Sequence, residues 1–270
     1  MSNVTQNVDP DVATGFGHEW STFRQSENEF SPADREAIFK SYFNIFPWNR
    51  LPPAPIGIDV GCGSGRYSSM VAPKVRHLHL FDASEDALSF ARQNLAEAPN
   101  VSSHLGSVDN IPLDDNSLDF AFLLGVLHHV PDTAAAIRSI ANKLKVGAPF
   151  LIYLYYALDN RPLWYRAIWR LSNVFRVIVS ALPPTVRLVI SQTIAVVIYW
   201  TLARFAALVE RAGFSTATIP LESYRHRKFY VMCTDAYDRF CTRLEQRFTR
   251  RQTEEMLSAA GFDEIIFSDN

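Results

Sequence analysis

Asp59-Val60-Gly61-Cys62-Gly63-Ser64-Gly65 holds the residues whose types and spacing most clearly specify chemistry. Glycines at alternate positions let a backbone turn sharply and approach a ligand closely. No Lys-Ser or Lys-Thr follows, which excludes a phosphate-cradling P-loop. Asp59 precedes the first glycine, and a second acid, Asp82, comes 23 residues later. A carboxylate at that distance accepts hydrogen bonds from ribose hydroxyls in nucleotide-binding folds; the plainer alternative is that both acids cap strand ends. Adjacent imidazoles at His128 and His129 offer a general base, because histidine titrates near neutrality. Their alternative role is to cap and pack a helix. Tyr153-Leu154-Tyr155-Tyr156 forms a third group. Alternation puts Tyr153 and Tyr155 on one face and leaves Tyr156 at a cleft mouth. A phenol there can hydrogen-bond an acceptor or shield a cation.

The elements that must position these groups alternate. Apolar runs at 56–60, 77–81, 101–105, 118–124 and 149–155 read as strands, with helices expected over 66–71, 84–95 and 133–144. Ser31-Pro32 starts a helix that runs to about Phe46, before a proline cluster at 52–55. Strand and helix in turn, joined by short connections, make an α/β fold: a doubly wound, mostly parallel Rossmann-like sheet with helices on both faces. Ligands of such sheets bind at the carboxyl ends of the strands, where the glycine loop, Asp82 and His128 all fall.

These residues carry a resemblance. I-D-V-G-C-G-S-G-R-Y resembles the first motif of class I S-adenosylmethionine-dependent methyltransferases of the small-molecule type. L-F-D-A-S resembles their second motif, G-S-V-D-N-I-P-L their adenine-contacting loop, and F-L-L-G-V-L-H-H-V-P-D the segment after their fourth strand. The likeness covers about residues 16–154 and returns weakly over 248–268. It implies S-adenosylmethionine as cofactor. Asp59 would then lie near the cofactor's amino group, with Gly61, Cys62, Gly63 and Gly65 as close neighbours. Asp82 would clasp the ribose, Ala83 would lie against adenine, Val108 would offer its N–H to the ring, and Leu124 its carbonyl to the amino group. Ser107 departs from the family, which commonly has Asp there; an uncharged acceptor makes a weaker bond. The resemblance also makes Phe16, Glu19 and Trp20, with His18 and Phe23, part of an N-terminal cover over the acceptor.

From Tyr156 onward the pattern changes. Residues 157–247 read as a helical lid insertion after the fifth strand, flanked by 1–55, by the binding core 56–156 and by a last helix and strand at 248–270. The insertion is rich in large apolar residues, which favours a lipophilic acceptor, a hydrophobic partner or a membrane-facing side. Leu188–Ala203 carries no charge over 16 residues, short of the ~20 a membrane span needs; a buried helix is the first reading and an interfacial one the second. Arg225 and Arg227, beside Tyr230, could clamp an anionic acceptor or stand on a solvated face. The small-molecule acceptors that fit are a prenyl diphosphate, a lipid or quinone-like ring, and a phenol or acid. The competing readings are a non-methylating cofactor user or a non-catalytic binding protein on the same fold, and a membrane-associated scaffold.

Composition sets the outer limits. Apolar residues make up 48% and charged residues 20% of the 270, enough for a substantial core. The net charge of −2 gives no footprint for nucleic acid. Residues 1–150 hold 11 Lys+Arg against 17 Asp+Glu, whereas 151–270 hold 15 against 11, and 14 of those 15 are Arg. Three cysteines without zinc-ligand spacing argue against a metal site and fit a reducing compartment. A cytoplasmic protein, monomer or homodimer, with peripheral membrane contact left open, is the expectation. The stretch Phe262–Ser268 is expected to be a final strand, with the strand slot beside it filled by part of Lys228–Cys233 or covered by a neighbouring chain. An empty slot is the least expected outcome, because an unpaired edge invites aggregation.

Overall fold

The computed structural model describes residues 7–9, 12, 15 and 32–268. It divides into two compact units, one formed by 1–159 with 244–270 and the other by Asn160–Arg243.

In the first unit, α1 (Pro32–Phe43) precedes β1 (Ile56–Val60), a single helical turn α2 (Ser68–Val71), β2 (His77–Asp82), α3 (Glu85–Asn94) and β3 (Val101–Leu105). Next come β4 (Phe120–Leu124), α4 (Thr133–Lys143) and β5 (Phe150–Tyr153). All four strand pairings are parallel, in the order β3-β2-β1-β4-β5. The order reverses beside β1, so the crevice of the fold opens between the loops after β1 and β4. One face of the sheet, with Ile58, Val60, Phe81 and Leu123, is sealed by Ile137 and Ile140 of α4 and by Leu257. The other, with Leu78, Leu80, Phe120 and Phe122, is sealed by Phe39 and Phe43 of α1 and Leu88 and Ala91 of α3. Buried on both faces, the central strands are near-continuous apolar runs, the composition a parallel sheet requires.

The helix starts follow their sequence signals. Ser84 accepts from the Ala87 N–H at 3.3 Å and Asp132 from the Ala135 N–H at 2.8 Å. The chain returns to the first unit at Leu244. Phe248 donates its N–H to the Tyr155 carbonyl and accepts from the Ala157 N–H, both at 2.9 Å, in a single parallel bridge.

Two strand expectations fail. Lys228–Cys233 is not a strand but opens a helix, Phe229–Cys241. Its buried residues Met232, Cys233, Ala236, Tyr237 and Phe240 recur at helical spacing, which a window ending at Cys233 was too short to reveal. Phe262–Ser268 is irregular. Phe262 and Ile265 both join the core, three residues apart, so the segment lacks the alternation of a strand. Instead Phe262 stacks on Phe150 at 5.5 Å and Glu264 pairs with Arg50 at 2.7 Å. Among the described residues the sheet ends at β5.

The second unit is helical: α5 (Leu163–Ser180), α6 (Pro184–Ile194), a π-helical stretch Ala195–Trp200 running on into α7 (Thr201–Arg211), and α8 (Phe229–Cys241). Arg176 is buried, and its guanidinium donates to the Thr242 and Arg243 carbonyls at 2.7 and 2.8 Å. Helix α9 (Arg250–Ala259) belongs to the first unit and is capped reciprocally by Thr249 and Gln252.

Candidate cofactor and methyl-transfer site

Because the strands are parallel, their carboxyl ends share one edge, and the predicted residues gather there. Asp59 is buried near the end of β1, with the Ser68 hydroxyl donating to its carboxylate. Burial pushes its carboxyl up to about 7, against the pull of Ser68, and neighbouring Asp82 adds to the rise. Asp82 accepts the Gly63 N–H and the Ser84 N–H, each at 2.9 Å. Burial raises its pKa too, opposed by those N–H groups and that of Ala83. Among the described residues neither acid has a cationic partner. A buried carboxylate and a half-buried one held this way suit a ligand that brings its own positive charge and its own hydroxyls. The S-adenosylmethionine ammonium and ribose fit that donor set, and Ala83 beside Asp82 is exposed, as a flat contact for a base requires.

The glycine loop is held by the protein as much as it is shaped for a ligand. Gly61 and Cys62 both donate their N–H to the Phe81 carbonyl, at 2.7 and 3.1 Å. Gly61 sits at φ +72°, and a Cβ there would lie 2.4 Å from the Val126 side chain. Gly65, at φ +75°, lies against Leu95 and Ala91 of α3. Both glycines therefore answer to neighbouring elements as well as to backbone shape.

In the loop after β3, Ser107 donates its hydroxyl to Asp109. The oxygen of Ser107 keeps its lone pairs, so it can still accept from a ligand amino group. Val108 turns its side chain into the core. Asp109 also accepts the Asn7 N–H at 3.2 Å, and the Asn7 amide exchanges two hydrogen bonds with the Asp132 backbone, at 2.7 and 2.8 Å. Asn7 thus ties the loop after β3 to the start of α4. Nothing in the local sequence signals this.

At the reacting end, Gly125 follows Leu124 with φ +81° and donates to the Tyr153 carbonyl at 3.3 Å. His128 is 0% exposed, its ring stacked on Tyr155 at 3.6 Å and beside His129 at 4.1 Å. Burial, then His129 and Arg247, hold its pKa well below the usual histidine range, so it is neutral. The His129 Nδ1 lies 2.7 Å from the Leu244 carbonyl. Only a protonated Nδ1 satisfies that oxygen, and His129 is itself buried, at 4% exposure. Tyr153 is 39% exposed at the end of β5, its ring 5.2 Å from Tyr42, which in turn meets Tyr67 at 5.6 Å. Tyr42 and Tyr67 belong to this tyrosine row although neither stood out in the sequence. Tyr156 donates its hydroxyl to Asp159.

Phe16, His18, Glu19, Trp20, Phe23 and Ser31 lie outside the described residues. Arg225, Arg227 and Tyr230 lie in the helical unit. Arg225 already binds Glu210 at 2.9 Å and Glu222 at 3.0 Å. Among the described residues no His, Cys, Asp and Glu cluster could hold a metal ion.

Comparison with known proteins agrees with this geometry. Residues 58–152 match the family described as a methyltransferase domain. An uncharacterized methyltransferase, YcgJ, of Bacillus subtilis is 31% identical over 107 residues, 38% of this chain and 42% of that protein. A ubiquinone biosynthesis O-methyltransferase of Hydrogenovibrio crunogenus is 27% identical over 161 residues, 59% of this chain and 64% of that protein. A crystal structure of a SAM-dependent methyltransferase from Thermotoga maritima, titled a possible histamine N-methyltransferase, aligns at 17% identity with a TM-score of 0.47, over 92% of this chain and 82% of that one. The chain spans less than two thirds of the length of the curated relatives named here. The glycine loop, the paired acids, the sheet order and the family match together make residues 58–152 a class I methyltransferase domain whose cofactor is S-adenosylmethionine.

Proposed function

We propose that the protein transfers the S-adenosylmethionine methyl group to an oxygen of a small, partly apolar acceptor, a phenol or quinone-like ring. The observation that carries the cofactor half is the pair of acids at the sheet's carboxyl edge, Asp59 buried and Asp82 half-buried, neither with a cationic partner among the described residues. Asp59 receives the ammonium group. Asp82 accepts from the ribose hydroxyls while fixing Gly63 and Ser84. Ala83 and the Val108 N–H meet the adenine, Ser107 accepts from its amino group, and the Leu124 carbonyl accepts from the ammonium. The half-exposed Tyr153 ring and its neighbour Tyr42 form an aromatic wall for the acceptor.

The bound cofactor supplies an electrophilic methyl group on a sulfonium. The protein's part is to hold the acceptor oxygen in line with it and to exclude water. As the O–CH3 bond forms and the S–CH3 bond breaks, the hydroxyl proton needs an acceptor. His129, with Nδ1 fixed on Leu244, offers Nε2. His128, fully buried against Tyr155, acts as the packing partner of that imidazole. An anionic acceptor is less well supported, since Arg225 is already neutralised by two carboxylates. The relative of 27% identity named as a ubiquinone biosynthesis O-methyltransferase points the same way.

The test is incubation with methyl-labelled cofactor and a panel of catechols, hydroquinones, amines and carboxylic acids, with products read by mass spectrometry. The expected product is a phenol methyl ether, and His129→Gln should slow its formation by about 10²–10⁴-fold. Labelled amines or esters without ethers would overturn the acceptor assignment.

A further inference from the structure

The helical unit exposes an apolar surface that its own packing does not explain. On α5, Trp164, Ile168, Leu171, Phe175 and Ile178 recur at helical spacing on one face, and all are between 44 and 73% exposed. That face is apolar where a surface helix of a water-soluble unit would be charged. The helix Pro184–Arg211 adds exposed Val189, Val197 and Trp200. Together these exceed the scattered apolar residues of an ordinary surface.

The charge pattern names the occupant. From Arg161 to Val209 the chain contains six arginines and no Asp or Glu. Arg176 and Arg187 donate inward to carbonyls of the same unit. Arg170 and Arg204 are exposed on the helices that carry the apolar residues. Tryptophan and arginine bordering an apolar helix face, with acid excluded, match the boundary of an anionic bilayer, where rings sit among headgroups and guanidinium groups reach phosphates.

Pro184–Arg211 is, among the described residues, the one helix long and apolar enough to cross a membrane. Its opposite face is buried within the unit along Ser191, Ile194, Ala195, Tyr199, Ala203 and Ala206. A helix held on one side by its own unit lies in the interface instead of crossing it. We infer that the exposed faces of α5 and Pro184–Arg211 dock the protein on the surface of an anionic phospholipid bilayer.

The test is sedimentation of the full chain with vesicles of phosphatidylcholine alone or mixed with phosphatidylglycerol, with no cofactor present, so the outcome does not depend on methyl transfer. The protein should sediment with the mixed vesicles, with blue-shifted tryptophan emission, and remain largely in solution with phosphatidylcholine alone. Leu171→Glu with Ile178→Glu should lower partitioning about tenfold or more, and Arg170→Glu with Arg204→Glu should remove the preference for anionic lipid. Unchanged circular dichroism and S-adenosylhomocysteine binding will show that the variants fold. The inference is overturned by protein that stays in solution with both vesicles, by Leu171 and Ile178 variants that bind as the parent does, or by a soluble dimer in sedimentation velocity that ignores vesicles.

Discussion

Asp59 stays buried without a cation, and its raised pKa has a consequence for stability. The folded state holds a proton up to about pH 7 where an unfolded Asp has released it near 4. Stability from this residue therefore falls as pH rises from 4 through 7. Asp59→Asn should melt higher than the parent at pH 8 without cofactor, read by thermal unfolding, and should bind the cofactor poorly; an unchanged or lowered melting temperature counts against a buried uncompensated charge. His128 has the opposite sign. It stays neutral when folded but protonates below about 6.5 when unfolded, so its contribution is lost as pH falls below that value. Each pH unit is worth at most about 1.4 kcal/mol. His128→Phe, which keeps a ring against Tyr155, should flatten the acid side of the stability profile between pH 6.5 and 5, read by urea denaturation.

At the scale of elements, the loops after β1 and β4 meet at Gly61 and Val126. Gly61→Ala should cost about 2–4 kcal/mol, from a non-glycine residue at positive φ and from overpacking. Gly61→Ala with Val126→Ala should recover only the packing part, measured by chemical denaturation. Equal losses in the single and double variants would remove Val126 from the explanation. The sequence announced the glycines, the acids and the five parallel strands, because each rests on a local pattern of two to seven residues. It could not show that Asn7 reaches Asp109 and Asp132, or that Tyr42 joins Tyr153, since those contacts span about a hundred residues and carry no periodic signal. The two misread strands failed for a related reason. Aromatic and β-branched composition marks a strand only when a neighbour pairs with it; the helical spacing of the first segment shows only when it is followed past Cys233 to Phe240, and in the second Phe262 and Ile265 reach the core three residues apart.

For the molecule as a whole, the parallel bridge between Tyr156 and Phe248 sets the two ends of the first unit's break side by side. Replacing residues 160–243 by a short Gly-Ser linker should therefore leave a folded first unit that binds S-adenosylhomocysteine, by calorimetry, and that no longer sediments with anionic vesicles. An unfolded product would show that the first unit depends on the insertion. The account turns on Asp59 meeting a positive charge, so its most direct test is calorimetric titration of S-adenosylhomocysteine across pH. The ammonium stays charged below pH 7, while Asp59 must ionise to receive it. The account predicts saturable one-to-one binding that tightens about tenfold between pH 5.5 and 7 and loses that dependence in Asp59→Asn. Absence of binding, or an affinity equally flat with pH in parent and variant, would contradict it.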